Sequence, residues 1–279
     1  MRELSVHTLE SHIYELFLQS CCHLGEDVIR RLRQCARMEE SPIGQEILNL
    51  ILENDRIADQ QNMPICQDTG MATVFLKIGQ DVHLTGGDLS AAVNRGIRRA
   101  YADGHFRASV LSPIDRKNTG DNTPGILHID LVPGEQVEIR VLPKGFGSEN
   151  MSRLWMLKPS DGIEGIREAI VETVRLAGGS PCPPVIVGVG IGGTSEYALY
   201  LAKHALLRPC GEPSPDPVLA QLEARTLSDI NRLGIGPQGL GGRITALAVH
   251  AEQYPTHIAG LPVGVSIQCH VARSRTRII

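Results

Sequence analysis

The sequence predicts a mixed α/β fold: a single large helix-and-sheet domain over residues 1–279, with a helical N-terminal region. Three observations predict it. The N-terminal part carries apolar residues at helix-face spacing, as in Leu9, Ile13, Leu16 and Phe17. Further on, amphipathic helical patterns alternate with short runs that either alternate strictly, as in 136–142, or are wholly apolar, as in 184–189. The links between these segments are short, so one continuous domain is expected, with a lobe boundary near 150–160.

Taken in order, residues 7–36 read as helical, with Cys21, Cys22 and Cys35 as core positions. Ser41-Pro42 is an N-cap followed by proline at the first helical position, and Ile43, Ile47, Leu50, Ile51 and Ile57 continue one apolar face to about Asp59. Pro64 and Gly70 bracket a loop that holds Cys66, Gln67 and Asp68 in succession. A strand is expected at 73–79, and Gly86-Gly87-Asp88 opens a helix over 88–102. Residues 103–125 are polar and aperiodic, a length that marks either disorder or function. Runs 126–132 and 136–142 flank Pro133-Gly134-Glu135 and read as a hairpin, with Val137, Ile139 and Val141 facing the core. Lys144–Asn150 follows, with two glycines that allow a backbone to approach a ligand closely or simply make a turn. Ser160-Asp161 caps a helix that ends at Gly178-Gly179. Beyond Cys182 come an apolar strand at 184–189, a glycine-rich turn at 188–193 and a helix at 194–207. A helix capped by Asp216 with Pro217 runs to Gly234, and a third glycine-rich loop covers 236–242. Residues 244–253 suit a helix or short strand, and a strand at 263–268 ends at Cys269-His270.

Composition narrows the function classes. The chain is 42% apolar and 21% charged, which suits a folded core. No run reaches the roughly 18 to 20 apolar residues of a membrane helix, and the N-terminus lacks a signal-peptide core, so a cytoplasmic protein with no membrane partner is expected. A net charge of −4 argues against nucleic acid as a partner. Arg95, Arg98 and Arg99 on one helix, and Arg273, Arg275 and Arg277 in the tail, read as solvated surface. The seven cysteines include no C-x-x-C pair, which excludes a zinc ribbon or thioredoxin motif by spacing.

Cys66, Cys182 and Cys269 stand apart from the other cysteines. Each sits in a loop beside an apolar strand, with proline or a polar group adjacent. Thiolates suit zinc or iron–sulfur centres, and three protein ligands on a four-iron cluster leave one iron open to act as a Lewis acid. Taken singly, a cysteine in such a loop is better read as a small buried hydrophobe, and it is the recurrence of the setting that favours a metal. Gly188-Val189-Gly190-Ile191-Gly192-Gly193 matches the dinucleotide-binding turn, which would make the chain a nucleotide-binding oxidoreductase. The second strand and ribose-binding acid that this reading needs are replaced by the proline-rich link 208–215.

Several motifs resemble a known family. Pro64–Gly70, Asp115–Pro124, Lys144–Asn150, Pro181–Pro184, Val187–Gly193 and Gly236–Gly242 are similar to those of the class I fumarate hydratase α subunit and its sibling, the L-tartrate dehydratase α subunit. The resemblance spans about residues 5–272, and the forms of Lys144–Asn150 and Gly241–Leu247 look more like the fumarase branch. It implies a [4Fe–4S] cluster held by Cys66, Cys182 and Cys269, and reversible hydration of fumarate to (S)-malate, a step of the tricarboxylic acid cycle. By the same match Gln67, Arg107 and Gly147 bind the dicarboxylate substrate, while Asp68 and His257 are the candidate catalytic groups. Single-chain relatives continue into a second domain that supplies further site groups. A separate β subunit in an α2β2-type assembly is therefore expected. The L-tartrate dehydratase α subunit is the nearest alternative, and a non-catalytic scaffold protein is the alternative from another class.

Overall fold

The computed structural model describes all 279 residues. Strand β1 (Arg2–Ser5) leads into helix α1 (Val6–Cys22), with Ser5 Oγ accepting from the His7 N–H as cap. Helix α2 (Glu26–Met38) follows, so the helical stretch expected over 7–36 is two helices. His23 and Gly25 both take extended backbone and break the ladder between them. Helix α3 (Pro42–Gln61) starts where Ser41-Pro42 predicts, and Ser41 Oγ accepts from Gly44 N–H. Strands β2 (Met71–Gly79) and β3 (Val82–Thr85) precede α4 (Leu89–Asp103), which Asp88 caps through Ala91 N–H. Then come β4 (Ile126–Val132), β5 (Val137–Lys144), the single-turn α5 (Phe146–Glu149) and β6 (Arg153–Leu157). Helix α6 (Gly162–Ala177), strand β7 (Val185–Gly192), α7 (Ser195–Ala205) and α8 (Pro217–Arg232) follow, the last capped by Asp216 as its sequence predicts. The chain ends with β8 (Ala246–Tyr254), β9 (Leu261–Gln268) and β10 (Arg275–Ile278).

These elements form two compact units. The first comprises Met1–Leu24, Asp55–Phe146 and Arg273–Ile279; the second comprises Gly25–Asn54 and Gly147–Ala272. In the first, a four-stranded sheet runs in the order β10-β5-β2-β4, beside a parallel β1-β3 pair. One face of the sheet presents Val74, Leu76, Ile78, Val137, Ile139 and Val141, and α1 and α4 cover it with Leu9, Ile13, Leu16, Phe17 and Ile97. Burying each such side chain stabilises the unit by about 1.5–3 kcal/mol.

The hairpin expected from 126–142 is not formed. β4 and β5 lie on opposite sides of β2, parallel and antiparallel to it respectively. The 133–136 link therefore crosses the end of β2. It can do so because Gly79 stands there: a Cβ at that position would lie 2.2 Å from the Gly134 carbonyl oxygen. The crossing is pinned by Gly79 N–H to the Gln136 carbonyl and Asp81 N–H to the Gly134 carbonyl.

In the second unit the sheet order is β6-β9-β7-β8. Ile166, Ile170 and Val174 of α6 and Leu219, Leu222 and Ile230 of α8 pack on Val185, Val187, Val189, Val263, Val265 and Ile267. Helix α7 lies against β7 and β9 so closely that a Cβ at Gly188 or Gly190 would sit 2.1 Å from the carbonyl oxygens of Ala202 or Ala198. Residues 188–192 are therefore strand, not turn, and their glycines serve helix packing. The segment at 244–253 resolves as strand β8. The tail is also not solvated surface: β10 pairs antiparallel with β5, Arg275 donates to the His23 carbonyl, Arg277 pairs with Glu15, and Arg273 is 1% exposed. Arg95, Arg98 and Arg99 do lie on the surface of α4, engaged with Glu10, Asp121 and Asp103. No helix is long and apolar enough to cross a membrane.

Candidate functional site

The first unit brings Cys66, Gln67, Asp68 and Arg107 into one neighbourhood. The loop that carries them is anchored from below. Ile65 N–H donates to the Cys21 carbonyl at 3.0 Å, and the Tyr101 hydroxyl donates to the carbonyls of Thr69 and Gly70 at 2.7 and 3.1 Å. Asn122, fully buried, donates from Nδ2 to the Gly70 carbonyl and accepts the N–H groups of Ser109 and Val110 at Oδ1. It thereby ties the polar 103–125 stretch to the cysteine loop, and that stretch is ordered. Thr69 Oγ1 donates to the Arg107 carbonyl at 3.4 Å, which sets Arg107 beside the loop with its side chain exposed. Gly70, at φ +76°, approaches the Lys144 backbone where a Cβ would meet it at 2.7 Å. Asp68 is held at both oxygens: Oδ1 accepts from Gly70 N–H and Oδ2 from Phe146 N–H, each at 2.9 Å. A carboxylate fixed in this way has a set orientation before any substrate arrives.

The second unit brings Cys182, Cys269 and Gly147 to one end of its sheet. Ile186 pairs with Gln268, so the start of β7 and the end of β9 are adjacent, and the two cysteines flank that point. Cys182 sits at φ +55° between Pro181 and Pro183, with its N–H bonded to the Gly179 carbonyl. Gly147 faces the Ser180 carbonyl at 3.8 Å from its would-be Cβ, and Ser152 Oγ accepts from Ile267 N–H. Cys269 Sγ lies 3.9 Å from the Val271 carbonyl, which also accepts from Gln268 Nε2.

The glycine-rich 236–242 loop braces the same end. Gln238 donates from N–H and from Nε2 to the Pro183 carbonyl, at 2.7 and 2.9 Å. The far side of this loop rests on Glu39, a residue the sequence reading did not single out. Its carboxylate is 2% exposed and accepts the N–H groups of Glu40, Ser41, Arg243 and Ile244. Burial pushes its pKa up, but those four backbone donors outweigh burial and hold it below the ordinary value.

His257 lies elsewhere. It follows β8, whose Tyr254 pairs with Gly192 at the opposite end of the sheet from Cys182 and Cys269. It is exposed, and its Nδ1 accepts from Ala259 N–H. Within its own unit the structure does not bring this candidate catalytic group to the two cysteines. The dinucleotide reading of 188–193 is also unsupported there, because Gly193 N–H is already bonded to the Pro255 carbonyl.

The cysteines divide cleanly. Cys21, Cys22, Cys35 and Cys210 are buried, and burial raises each thiol pKa, to about 12 for Cys21 and Cys210. Cys66, Cys182 and Cys269 are the three outside the cores. Cys66 belongs to the first unit and Cys182 and Cys269 to the second, and a loop thiol outside a core is of the donor type that soft metals take.

Residues 10–277 match the family described as "Fumarate hydratase (Fumerase)". The chain is 46% identical over 267 residues to a protein of Methanocaldococcus jannaschii named "Putative L(+)-tartrate dehydratase subunit alpha", covering 94% of each chain. It is 34% identical to the "L(+)-tartrate dehydratase subunit alpha" of Escherichia coli O157:H7, over 100% of this chain and 93% of that one. The K12 strain protein of the same name is 33% identical over the same shares. The chain belongs to the fumarate hydratase and L-tartrate dehydratase α-subunit family of hydro-lyases.

Proposed function

We propose that this chain is the α subunit of an iron–sulfur hydro-lyase that removes water from a four-carbon hydroxydicarboxylate, with L-tartrate as substrate. The observation that carries the reading is the family match over nearly the whole chain, together with relatives that bear the tartrate dehydratase name, one of them at 46% identity. Loss of water across C2–C3 of tartrate leaves an enol that tautomerises to oxaloacetate. Cys66, Cys182 and Cys269 would hold the cluster, which when bound supplies a Lewis acid that polarises the departing hydroxyl. The chain's own residues do the rest. The exposed Arg107 guanidinium suits a bidentate carboxylate clamp, with Gln67 beside it. Gly147 offers backbone to the substrate. Asp68, whose carboxylate two backbone donors orient, would accept the C3 proton. A β-type partner completes the site, as the "subunit alpha" names of the relatives imply for those proteins.

A second reading is fumarate and (S)-malate. It is favoured by the family's own description and by the fumarase-like forms of Lys144–Asn150 and Gly241–Leu247.

The test is to co-express the chain with its β partner, purify anaerobically, quantify iron and sulfide, and assay oxaloacetate from L-tartrate and fumarate from malate. The expected result is equal iron and sulfide with faster turnover of tartrate. Faster turnover of malate would move the assignment to the second reading. Turnover of neither, or a full cluster absorbance retained in Cys66→Ser, Cys182→Ser and Cys269→Ser alike, would overturn both.

A further inference from the structure

We propose that Asn122 is a positioning residue for the reaction: its buried amide locks the Asp68 loop and the Arg107 segment to each other, so that proton acceptor and carboxylate clamp are held in one fixed relation. The inference rests on the hydro-lyase reading above and adds to it a residue that reading does not use. Asn122 is 0% exposed and takes φ +57°, a left-handed backbone that asparagine tolerates better than most residues. Its amide is engaged on both sides. Oδ1 accepts Ser109 N–H at 2.7 Å and Val110 N–H at 3.1 Å, and Nδ2 donates to the Gly70 carbonyl at 3.1 Å. The opposite placing of oxygen and nitrogen would set an NH2 group against two N–H donors, so these partners fix the orientation.

On the loop side, Gly70 lies between two peptide groups. The first carries the Gly70 N–H that binds Asp68 Oδ1 at 2.9 Å, and its carbonyl, that of Thr69, takes the Tyr101 hydroxyl at 2.7 Å. The second carries the Gly70 carbonyl that Asn122 holds. Glycine resists rotation between its two peptides less than any other residue. An anchor on the second peptide therefore limits how the first, and with it Asp68, can turn.

On the other side, Arg107 is bracketed. Before it, Phe106 donates its N–H to the Tyr101 carbonyl at 2.9 Å and packs edge-on against the Tyr101 ring with centroids 5.5 Å apart. After it, Asn122 holds the N–H groups of Ser109 and Val110. The direct tie from loop to segment, Thr69 Oγ1 to the Arg107 carbonyl, is long at 3.4 Å, so the shorter bonds through Asn122 carry the link. The Arg107 side chain is exposed, and its place is set by this backbone. A shift of about 1 Å between two groups that act on one substrate can cost about 100-fold in rate.

The experiment uses the anaerobically assembled complex with its β partner. Asn122→Gly suits the left-handed backbone and removes the whole clamp. Asn122→Asp keeps the acceptor for Ser109 and Val110 and loses the donor to Gly70. Both are compared with wild type, Arg107→Ala and the Asn122→Gly, Arg107→Ala double variant by iron content, calorimetric binding of unreactive succinate, and kcat. Asn122→Gly is expected to weaken succinate binding about 10-fold and lower kcat about 10- to 100-fold at wild-type iron content. Asn122→Asp is expected to restore succinate binding but not kcat. In the Arg107→Ala background, Asn122→Gly should weaken succinate binding by less than about 2-fold, because the group it positions is gone. Wild-type binding and kcat in Asn122→Gly overturn the proposal, and so does a full further loss of binding in the double variant. If Asn122→Gly does not assemble, Asn122→Asp decides: a lowered kcat supports the proposal, and a wild-type kcat overturns it. Failure of the hydro-lyase reading is separate, because wild type would then turn over neither L-tartrate nor malate.

Discussion

At the scale of single residues, the loops that carry the candidate site residues are braced by buried side chains bonded to backbone. Glu39 is the clearest case. Its Oε1 takes three backbone N–H groups and its Oε2 takes that of Ile244, which moors the 236–243 loop and, through Gln238, the Pro183 carbonyl next to Cys182. Glu39→Gln keeps the volume but turns an NH2 group toward at least one of these donors. An unsatisfied buried donor costs about 1–3 kcal/mol, so a destabilisation of about 2 kcal/mol is expected in denaturant unfolding. If Cys182 depends on this brace, the same variant also retains less iron after anaerobic reconstitution. An unchanged unfolding midpoint would show that the four contacts are dispensable. The Pro64–Gly70 loop that carries Cys66, Gln67 and Asp68 was legible from its proline and glycine, because turn chemistry is local, whereas the roles of these residues and of Arg107 rest on the family resemblance alone. Glu39 and Arg273 stayed hidden for the opposite reason. Each looks like an ordinary surface charge, one between helices and one in an arginine-rich tail, and only tertiary contacts bury them.

At the scale of elements, most helices and strands were legible from periodicity and caps. Asp88, Asp216 and Ser41 start α4, α8 and α3 by the expected side-chain bonds. Two of the readings that failed did so at glycines. Gly79 and Gly134 let a short link cross the end of β2, which a pattern of two apolar runs around Pro-Gly cannot distinguish from a hairpin. Gly188 and Gly190 mimic a phosphate-binding turn, yet they exist so that α7 can lie directly on the sheet. The packing role makes its own prediction. In Gly190→Ala the new methyl would stand 2.1 Å from the Ala198 carbonyl oxygen and 2.6 Å from the Ala202 nitrogen, so helix and strand must separate. A loss of about 3 kcal/mol or more, seen as a lower denaturation midpoint or insoluble expression, is expected. Gly260→Ala, with nothing within 4 Å, serves as the neutral control. A glycine kept for nucleotide phosphates would give the reverse pattern, a stable protein with altered cofactor binding.

At the scale of the whole molecule, stability should depend on pH through a group remote from the proposed chemistry. His250 sits in the middle of β8, paired with Gly188, and is 1% exposed. Burial pushes its pKa down to about 4, and the Arg208 charge adds to the effect, against opposing contributions from the Ala205 backbone and Asp27. The unfolded chain returns it to about 6.5. Above that value neither state binds the proton and His250 contributes full stability. As pH falls below it, the unfolded state gains a proton that the native state refuses, and the loss continues until about pH 4. Between pH 7.5 and pH 5 the native state should lose about 2 kcal/mol from this one group. Carboxylates do not confuse the window. Asp121, which burial pushes up but bonds from Thr123 and Arg98 draw down to about 2, contributes stability that is lost only below its unfolded value of 3.8; Glu39 behaves likewise below 4.5. Denaturant titrations of wild type and His250→Leu at pH 7.5, 6 and 5 test this. The wild-type midpoint should fall through that range while the leucine variant, which cannot take up the proton, stays nearly level. Parallel slopes for the two proteins would show that the buried histidine is not what the native state guards against acid.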